Sequence, residues 1–274
     1  MKSIRDFSVV EADPANNFWQ NRAFQYGDGL FETIIFRGGA TRYLAAHYGR
    51  LTAGMAVLDL AVPDGFTPGY LQAAIGELVE ANAPGGPARV KVQVWRRPGG
   101  LYTPESREAE FLVTAAALPP PAPAQRHHVR FWEEMRLHAS PLSRFKTCSA
   151  LPYVLAGLAR RRLGADEVIL LDGGGHVAEC VASNLFWLRD GTLYTPSLAT
   201  GCVAGIMRAQ ILAEAGRYGL RVAEGLYSKS ELLGAESVFC CNVAGHQFLT
   251  RIEGQPFAAA VPPALARLLE ELYA

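Results

Sequence analysis

The chain has 274 residues, 50% of them hydrophobic and 19% charged, with 26 basic side chains balanced by 26 acidic ones. This is the composition of a globular protein long enough to bury one large core or two moderate ones. Zero formal net charge gives no sign of a nucleic-acid or anionic-membrane surface, so an anionic ligand must be held by a few local cations.

Residues 1–7 contain no apolar stretch and no small-residue cleavage site, so no signal peptide is expected. No run reaches the roughly eighteen apolar residues of a membrane-spanning helix, so no membrane association is expected. Cys148, Cys180, Cys202, Cys240 and Cys241 make an odd set with no zinc spacing, which reads as reduced, mostly buried thiols in a cytoplasmic protein. His138 and His176 have no partner at metal-ligand spacing, and His127-His128 reads as a solvated strand start, so no metal is expected.

In chain order, residues 29–36 read as a strand, 45–58 and 68–80 as helices, 89–95 as an alternating half-buried strand, and 110–116 as a further strand. Leu118-Pro119-Pro120-Pro121-Ala122-Pro123-Ala124 then removes amide donors and fixes φ, so neither helix nor central strand continues through it. We divide the chain there into a smaller unit, 1–117, a linker, 118–125, and a larger unit, 126–274. In the larger unit 129–133 reads as a strand and 150–163 as a helix stopped by Gly164. Residues 167–171 and 176–182 read as strands around a tight turn at Asp172-Gly173-Gly174-Gly175. A helix at 205–218, a strand at 237–241 and a closing helix at 263–273 complete the expected α+β chain. The glycine run has no following helix, so it is not a dinucleotide fingerprint.

The chemistry-bearing residues fall in blocks. Arg144-Phe145-Lys146-Thr147 precedes a helix, and Glu179 opens Glu179-Cys180-Val181-Ala182-Ser183-Asn184-Leu185-Phe186. Thr195-Pro196 is followed by Gly205-Ile206-Met207-Arg208, a glycine opening a helix. Upstream stand Tyr26-Gly27-Asp28-Gly29-Leu30-Phe31-Glu32-Thr33 and His47-x-x-Arg50-Leu51. A lysine amine, a carboxylate and a helix N-terminus able to hold a phosphate are what pyridoxal phosphate needs. In these six blocks, over residues 24–261, the chain resembles the fold-type IV, or class IV, pyridoxal-phosphate enzymes. These comprise D-amino-acid and branched-chain aminotransferases and 4-amino-4-deoxychorismate lyase.

The resemblance implies a two-domain α+β fold with pyridoxal 5'-phosphate in the interdomain cleft, and a homodimer as the active unit. It makes Lys146 the lysine that forms a Schiff base with the cofactor aldehyde, and Glu179 the acid facing the pyridine nitrogen. Arg50 becomes a phosphate ligand, joined by the amides of Ile206 and Met207 after Gly205. Ser183 and Asn184 belong to the cofactor-binding block, and Asn242 stands where relatives often touch the phosphate with threonine. On the substrate side Tyr26, Glu32, Arg97, Tyr102 and His246 are candidates. Arg97, in Arg96-Arg97-Pro98-Gly99-Gly100-Leu101-Tyr102, reads either as a planar carboxylate clamp or as a solvated loop arginine. His246 reads either as a pocket residue or as a structural one.

Two reactions share these residues. A transaminase exchanges an amino group between an amino acid and a 2-oxo acid. A lyase eliminates from aminodeoxychorismate, releasing pyruvate and 4-aminobenzoate. Transamination is placed first by analogy, because it is spread more widely through the family. The lyase is the alternative, and a catalytically silent cofactor-binding protein is a third reading.

Overall fold

A computed structural model describes residues 2–5, 8–11 and 18–274, so parts of the segment read for a leader (1, 6 and 7) lie outside the described residues. The chain starts with an antiparallel pair, β1 (Lys2–Arg5) and β2 (Ser8–Glu11). A short helix, α1 (Arg22–Tyr26), is capped by the Asn21 side chain and stopped at Gly27.

The first sheet has four antiparallel strands in the order β4 (Ala40–Thr41), β3 (Gly29–Arg37), β5 (Ala88–Arg96), β6 (Ala109–Ala117). Alternation puts Val90, Val92 and Val94 of β5 on one face with Leu30, Ile34 and Phe36 of β3. The helices α2 (Leu44–Val57) and α3 (Pro68–Asn82) cover that face with Leu51, Met55, Leu71, Ile75 and Val79. Burying each such side chain is worth about 1.5–3 kcal/mol, which makes this face the stabilising one. Glu32 is the sole acidic position on it in β3, buried at 2% exposure.

Residues 118–124 carry no helix or strand and lead to the second sheet. This sheet has eleven strands, and its main path runs β17 (Gln255–Pro256), β16 (Arg251–Ile252), β8 (Val129–Leu137), β9 (Glu167–Asp172), β10 (Val177–Cys180), β11 (Asn184–Arg189), β14 (Ser237–Asn242), β15 (Gly245–Leu249), β7 (Gln125–Arg126). The other two branch from it: β12 (Thr192–Pro196) pairs with β11, and β13 (Arg221–Gly225) runs parallel to β12. The helix α4 (Leu151–Arg162) packs by Ala156 and Ala159 on Trp132, Val168, Leu170 and Ala178. The helices α5 (Ile206–Glu214) and α7 (Pro263–Tyr273) bury Met207, Ile211, Leu265, Leu268 and Leu269 against Phe186, Leu193 and Phe239. Leu232 of α6 (Lys229–Leu233) joins a third apolar cluster with Leu185, Trp187 and Val238.

The expected elements are present, with limits shifted by the terminal turns. The helix expected at 205–218 ends as α-helix at Glu214 and continues as a 3-10 turn over Ala215–Tyr218. The strand expected at 129–133 runs to Leu137, through a register shift between Trp132 and Arg136. Among the described residues no helix is long and apolar enough to cross a membrane, and no histidine, cysteine or carboxylate group forms a metal-binding cluster.

Candidate active site

Two features of the first unit build one wall. On β3, the side-chain period of two turns Glu32 inward with the core residues. On α2, His47 and Arg50 lie one turn apart and face it. His47 Nδ1 is 2.6 Å from Glu32 Oε2. Arg50 Nε donates to Oε1 at 2.7 Å and Nη2 to Oε2 at 2.5 Å. Burial alone would raise the Glu32 carboxyl, but the hydrogen bonds from His47 and Arg50 outweigh it and hold the group below its ordinary value. Arg50 Nη1 donates across to the Ala204 carbonyl at 2.7 Å. Three of its five N–H donors are used in this way, leaving two for a ligand.

Lys146 is fixed by backbone bonding to β3. Its carbonyl accepts from Phe31 N at 2.8 Å, Cys148 N donates to the Gly29 carbonyl at 2.9 Å, and Thr147 bridges Leu30. Phe145 is wedged beneath α2, where the bare Gly54 permits close approach: a Cβ there would stand 2.8 Å from Leu30 Cδ1 and 3.2 Å from Phe145 Cδ1. Lys146 Nζ lies 4.9 Å from the Phe31 ring centre, and Lys91 Nζ lies 5.0 Å from the same ring. Burial pushes the Lys146 amine below its ordinary value, and Arg50 and Lys91 push the same way. Glu32 and Glu179 oppose them without reversing the direction.

The opposite wall comes from the second sheet. Glu179 on β10 is buried at 3% exposure, and among the described residues no cation donates a hydrogen bond to it. The Tyr153 hydroxyl, from α4, donates to Oε1 at 2.6 Å. Val203 N donates to both oxygens at 3.2 Å, and Asn184 Nδ2 to Oε2 at 3.4 Å. Burial dominates and pushes the carboxyl up to about 7, against those hydrogen bonds and the fields of Lys146 and Arg208.

Residues 203–205 join the two walls. Val203 N is bonded to Glu179, the Ala204 carbonyl to Arg50, and Gly205 opens α5 without a side-chain cap. The first amides of α5, at Ile206 and Met207, therefore lack a side-chain cap, and the Arg50 guanidinium is bonded two residues upstream at Ala204. Asn184 braces the segment, donating from Nδ2 to the Val203 carbonyl at 2.9 Å. Arg208, 5% exposed, ties α5 to β12 by donating to the Pro196 carbonyl at 2.8 Å and pairing with Glu224.

The structure thus brings together Lys146, Glu179, Arg50, Glu32, Asn184, Gly205, Ile206 and Met207. Asn242 Nδ2 donates to Ser183 Oγ at 3.0 Å and to the Ala182 carbonyl at 3.2 Å, so its amide braces the turn between β10 and β11. The remaining candidates are held by other contacts. Arg97 is half exposed and paired with Glu108 and Glu110. Tyr102 is 91% exposed, its ring 5.7 Å from that of Tyr26. His246 sits among Phe239, Phe248 and Tyr273, and burial lowers its pKa. Sequence reasoning assigned no role to His47, Lys91 or Tyr153. Only His47 carried a signal, its position three residues before Arg50.

The family model for class IV amino-transferases matches residues 29–248. An aminodeoxychorismate lyase of Vibrio harveyi is 30% identical over 233 residues, covering 81% of this chain and 82% of the relative. A D-alanine aminotransferase of Listeria monocytogenes serotype 4b is 29% identical over 246 residues, covering 87% and 83%. The solved structure of a T.th. branched-chain aminotransferase complexed with N-(5'-phosphopyridoxyl)-L-glutamate superposes with a TM-score of 0.81 at 26% identity, over 97% of this chain and 90% of that one. The chain belongs to the class IV aminotransferases, a family of pyridoxal 5'-phosphate enzymes.

Proposed function

We propose that the protein exchanges an amino group between an amino acid and a 2-oxo acid, with pyridoxal 5'-phosphate seated between Lys146, Glu179 and the start of α5. The observation carrying this reading is the convergence of a desolvated amine, a buried acid without a cationic hydrogen-bond partner, and an uncapped helix end beside Arg50. That donor set fits the cofactor at each of its polar ends. When bound, the cofactor supplies an electrophilic carbon and an electron-withdrawing ring that stabilises charge at the substrate Cα.

The chain's own residues divide the remaining work. Lys146 Nζ, its pKa lowered by burial, spends more time as the neutral amine and can both attack a carbonyl carbon and carry a proton to and from Cα. Glu179 holds a proton at the ring nitrogen. Arg50 and the amides of Ile206 and Met207 hold the phosphate dianion, with Glu32 and His47 fixing the Arg50 fork. Tyr26, Tyr102, Arg97 and His246 are assigned to the substrate side, with the exposed loop of Arg97 and Tyr102 serving a neighbouring subunit. Asn242 and Ser183 support the cofactor block.

A homodimer is supported by α4. Leu151, Val154, Leu155 and Leu158, spaced along one helical stripe, are 69%, 54%, 45% and 50% exposed, an apolar seam suited to a second copy. Leu155→Glu is expected to lower the mass measured by light scattering from dimer to monomer; an unchanged mass removes this seam from the interface. Five free thiols, four of them buried, support a cytoplasmic setting. We divide the chain into units 1–117 and 126–274 joined by 118–125.

The test is borohydride trapping with peptide mass spectrometry, which should place the cofactor on Lys146. Mixing with D- and L-amino acids should then produce the amino form of the cofactor. Absence of the Lys146 adduct refutes the reading. The second reading, supported by the Vibrio harveyi relative, is elimination from aminodeoxychorismate. Pyruvate release without conversion to the amino form would select it.

A further inference from the structure

We infer that Tyr153 is a positioning residue: its phenol weakens Glu179 as a base, so that the proton shared between this carboxylate and the pyridine nitrogen stays on the ring. This rests on the cofactor reading above and assigns α4 a part in it.

The geometry carries the inference. Of the three donors to Glu179, the Tyr153 hydroxyl makes the shortest bond, 2.6 Å against 3.2 Å and 3.4 Å, and it alone comes from α4. The other two are a backbone amide and an amide side chain. The charged and titratable groups facing Glu179 are Lys146 from the loop beside β3, Arg208 from α5, Cys202 from the loop before α5 and Cys180 next along β10. Lys146 and Arg208 act only through their fields, because neither donates a hydrogen bond to the carboxylate.

With the phenol bonded to it the buried carboxyl stands at about 7; without that bond burial would push it higher still, toward a base that draws the proton off a neighbouring pyridine nitrogen. A fixed donor on Oε1 favours the charged carboxylate and opposes that transfer. The phenol stays a donor across the working range, since burial and the adjacent Glu179 push its own ionisation far upward. Tyr153 packs against the apolar cluster that holds Trp132, Ala156 and Ala159, so the hydroxyl can be removed without emptying the site.

The experiment compares wild type with Tyr153→Phe, each holding pyridoxal 5'-phosphate labelled with 15N in the ring. In wild type the nitrogen resonance should report a protonated pyridine at neutral pH. In Tyr153→Phe it should move toward the unprotonated position, the partition of the proton changing by about tenfold or more, as expected for losing one hydrogen bond to a charged group. A second measurement uses the full chain before cofactor is added. There the 13C-carboxyl resonance of Glu179, identified by its loss in Glu179→Gln, should titrate at higher pH in Tyr153→Phe than in wild type. An unchanged nitrogen resonance, or an unchanged carboxyl midpoint, overturns the inference. A wild type that takes up no cofactor at Lys146 overturns instead the reading on which it rests, while the carboxyl titration still decides whether Tyr153 sets Glu179.

Discussion

Gly205→Ala tests whether the segment joining the two walls is built to contact tolerance. The backbone at 205 is ordinary, with φ −64°, so alanine meets no conformational penalty there. The obstacle is Asn184: a Cβ at 205 would lie 1.8 Å from its Oδ1 and 3.1 Å from its Cγ. Asn184 is 6% exposed and bonded to Val203 and Glu179, so it cannot swing away without leaving those bonds. Overpacking of this kind costs about 1–3 kcal/mol, and breaking a buried hydrogen bond adds about 1–2 kcal/mol. The total of roughly 2–5 kcal/mol should lower the urea midpoint of the full chain and weaken its grip on phosphate at the start of α5. A second variant isolates the cause. Asn184→Ala removes the opposing atoms, so the double variant should recover most of the loss, with a coupling of at least about 1 kcal/mol. Additive single effects, or a Gly205→Ala loss below about 0.5 kcal/mol, would refute the reasoning.

The two buried glutamates of the site, Glu32 and Glu179, should respond to pH with opposite signs. Glu32 is held below its ordinary 4.5, so its contribution to stability is present above that value and is lost as pH falls through its lowered folded value. Glu32→Gln leaves Arg50 without its partner and should cost about 3–5 kcal/mol at neutral pH. The gap from wild type should narrow in acid; a gap constant with pH in chemical denaturation contradicts the pairing. Glu179 has the raised carboxyl, so its contribution is fully present below 4.5 and is lost as pH rises through about 7. Without cofactor, Glu179→Gln should gain on wild type across that window, by up to about 3 kcal/mol. A stability difference that does not change between pH 4.5 and 8 would show that Glu179 is not protonated in the fold.

The strands β3 and β5 and the helices α2, α3 and α7 were legible because each has a clear alternation or an apolar stripe. So was the break at 118–124, where proline chemistry is local. The parallel pairings of β8 with β9 and β12 with β13 join segments separated by whole elements, and no local pattern encodes them. The same limit applies at the site. Lys146, Glu179 and Arg50 stood out through their blocks, and their meeting around residues 203–205 is a property of the assembled fold. Arg97 reads as available in its loop, yet across the sheet edge Glu108 and Glu110 engage it. Tyr153 looks like one more half-buried aromatic on α4. Its significance appears only once β10 brings a carboxylate to its hydroxyl.

Residues 203–205 also impose a mechanical rule. Because one three-residue stretch is bonded to the Glu179 carboxylate through Val203 and to the Arg50 guanidinium through Ala204, displacement of either group is transmitted to the other through covalent geometry. Inorganic phosphate and unphosphorylated pyridoxal, offered as separate halves, should therefore each fit better in the presence of the other. The crosspiece behaves as a ruler whose length has been set once for both.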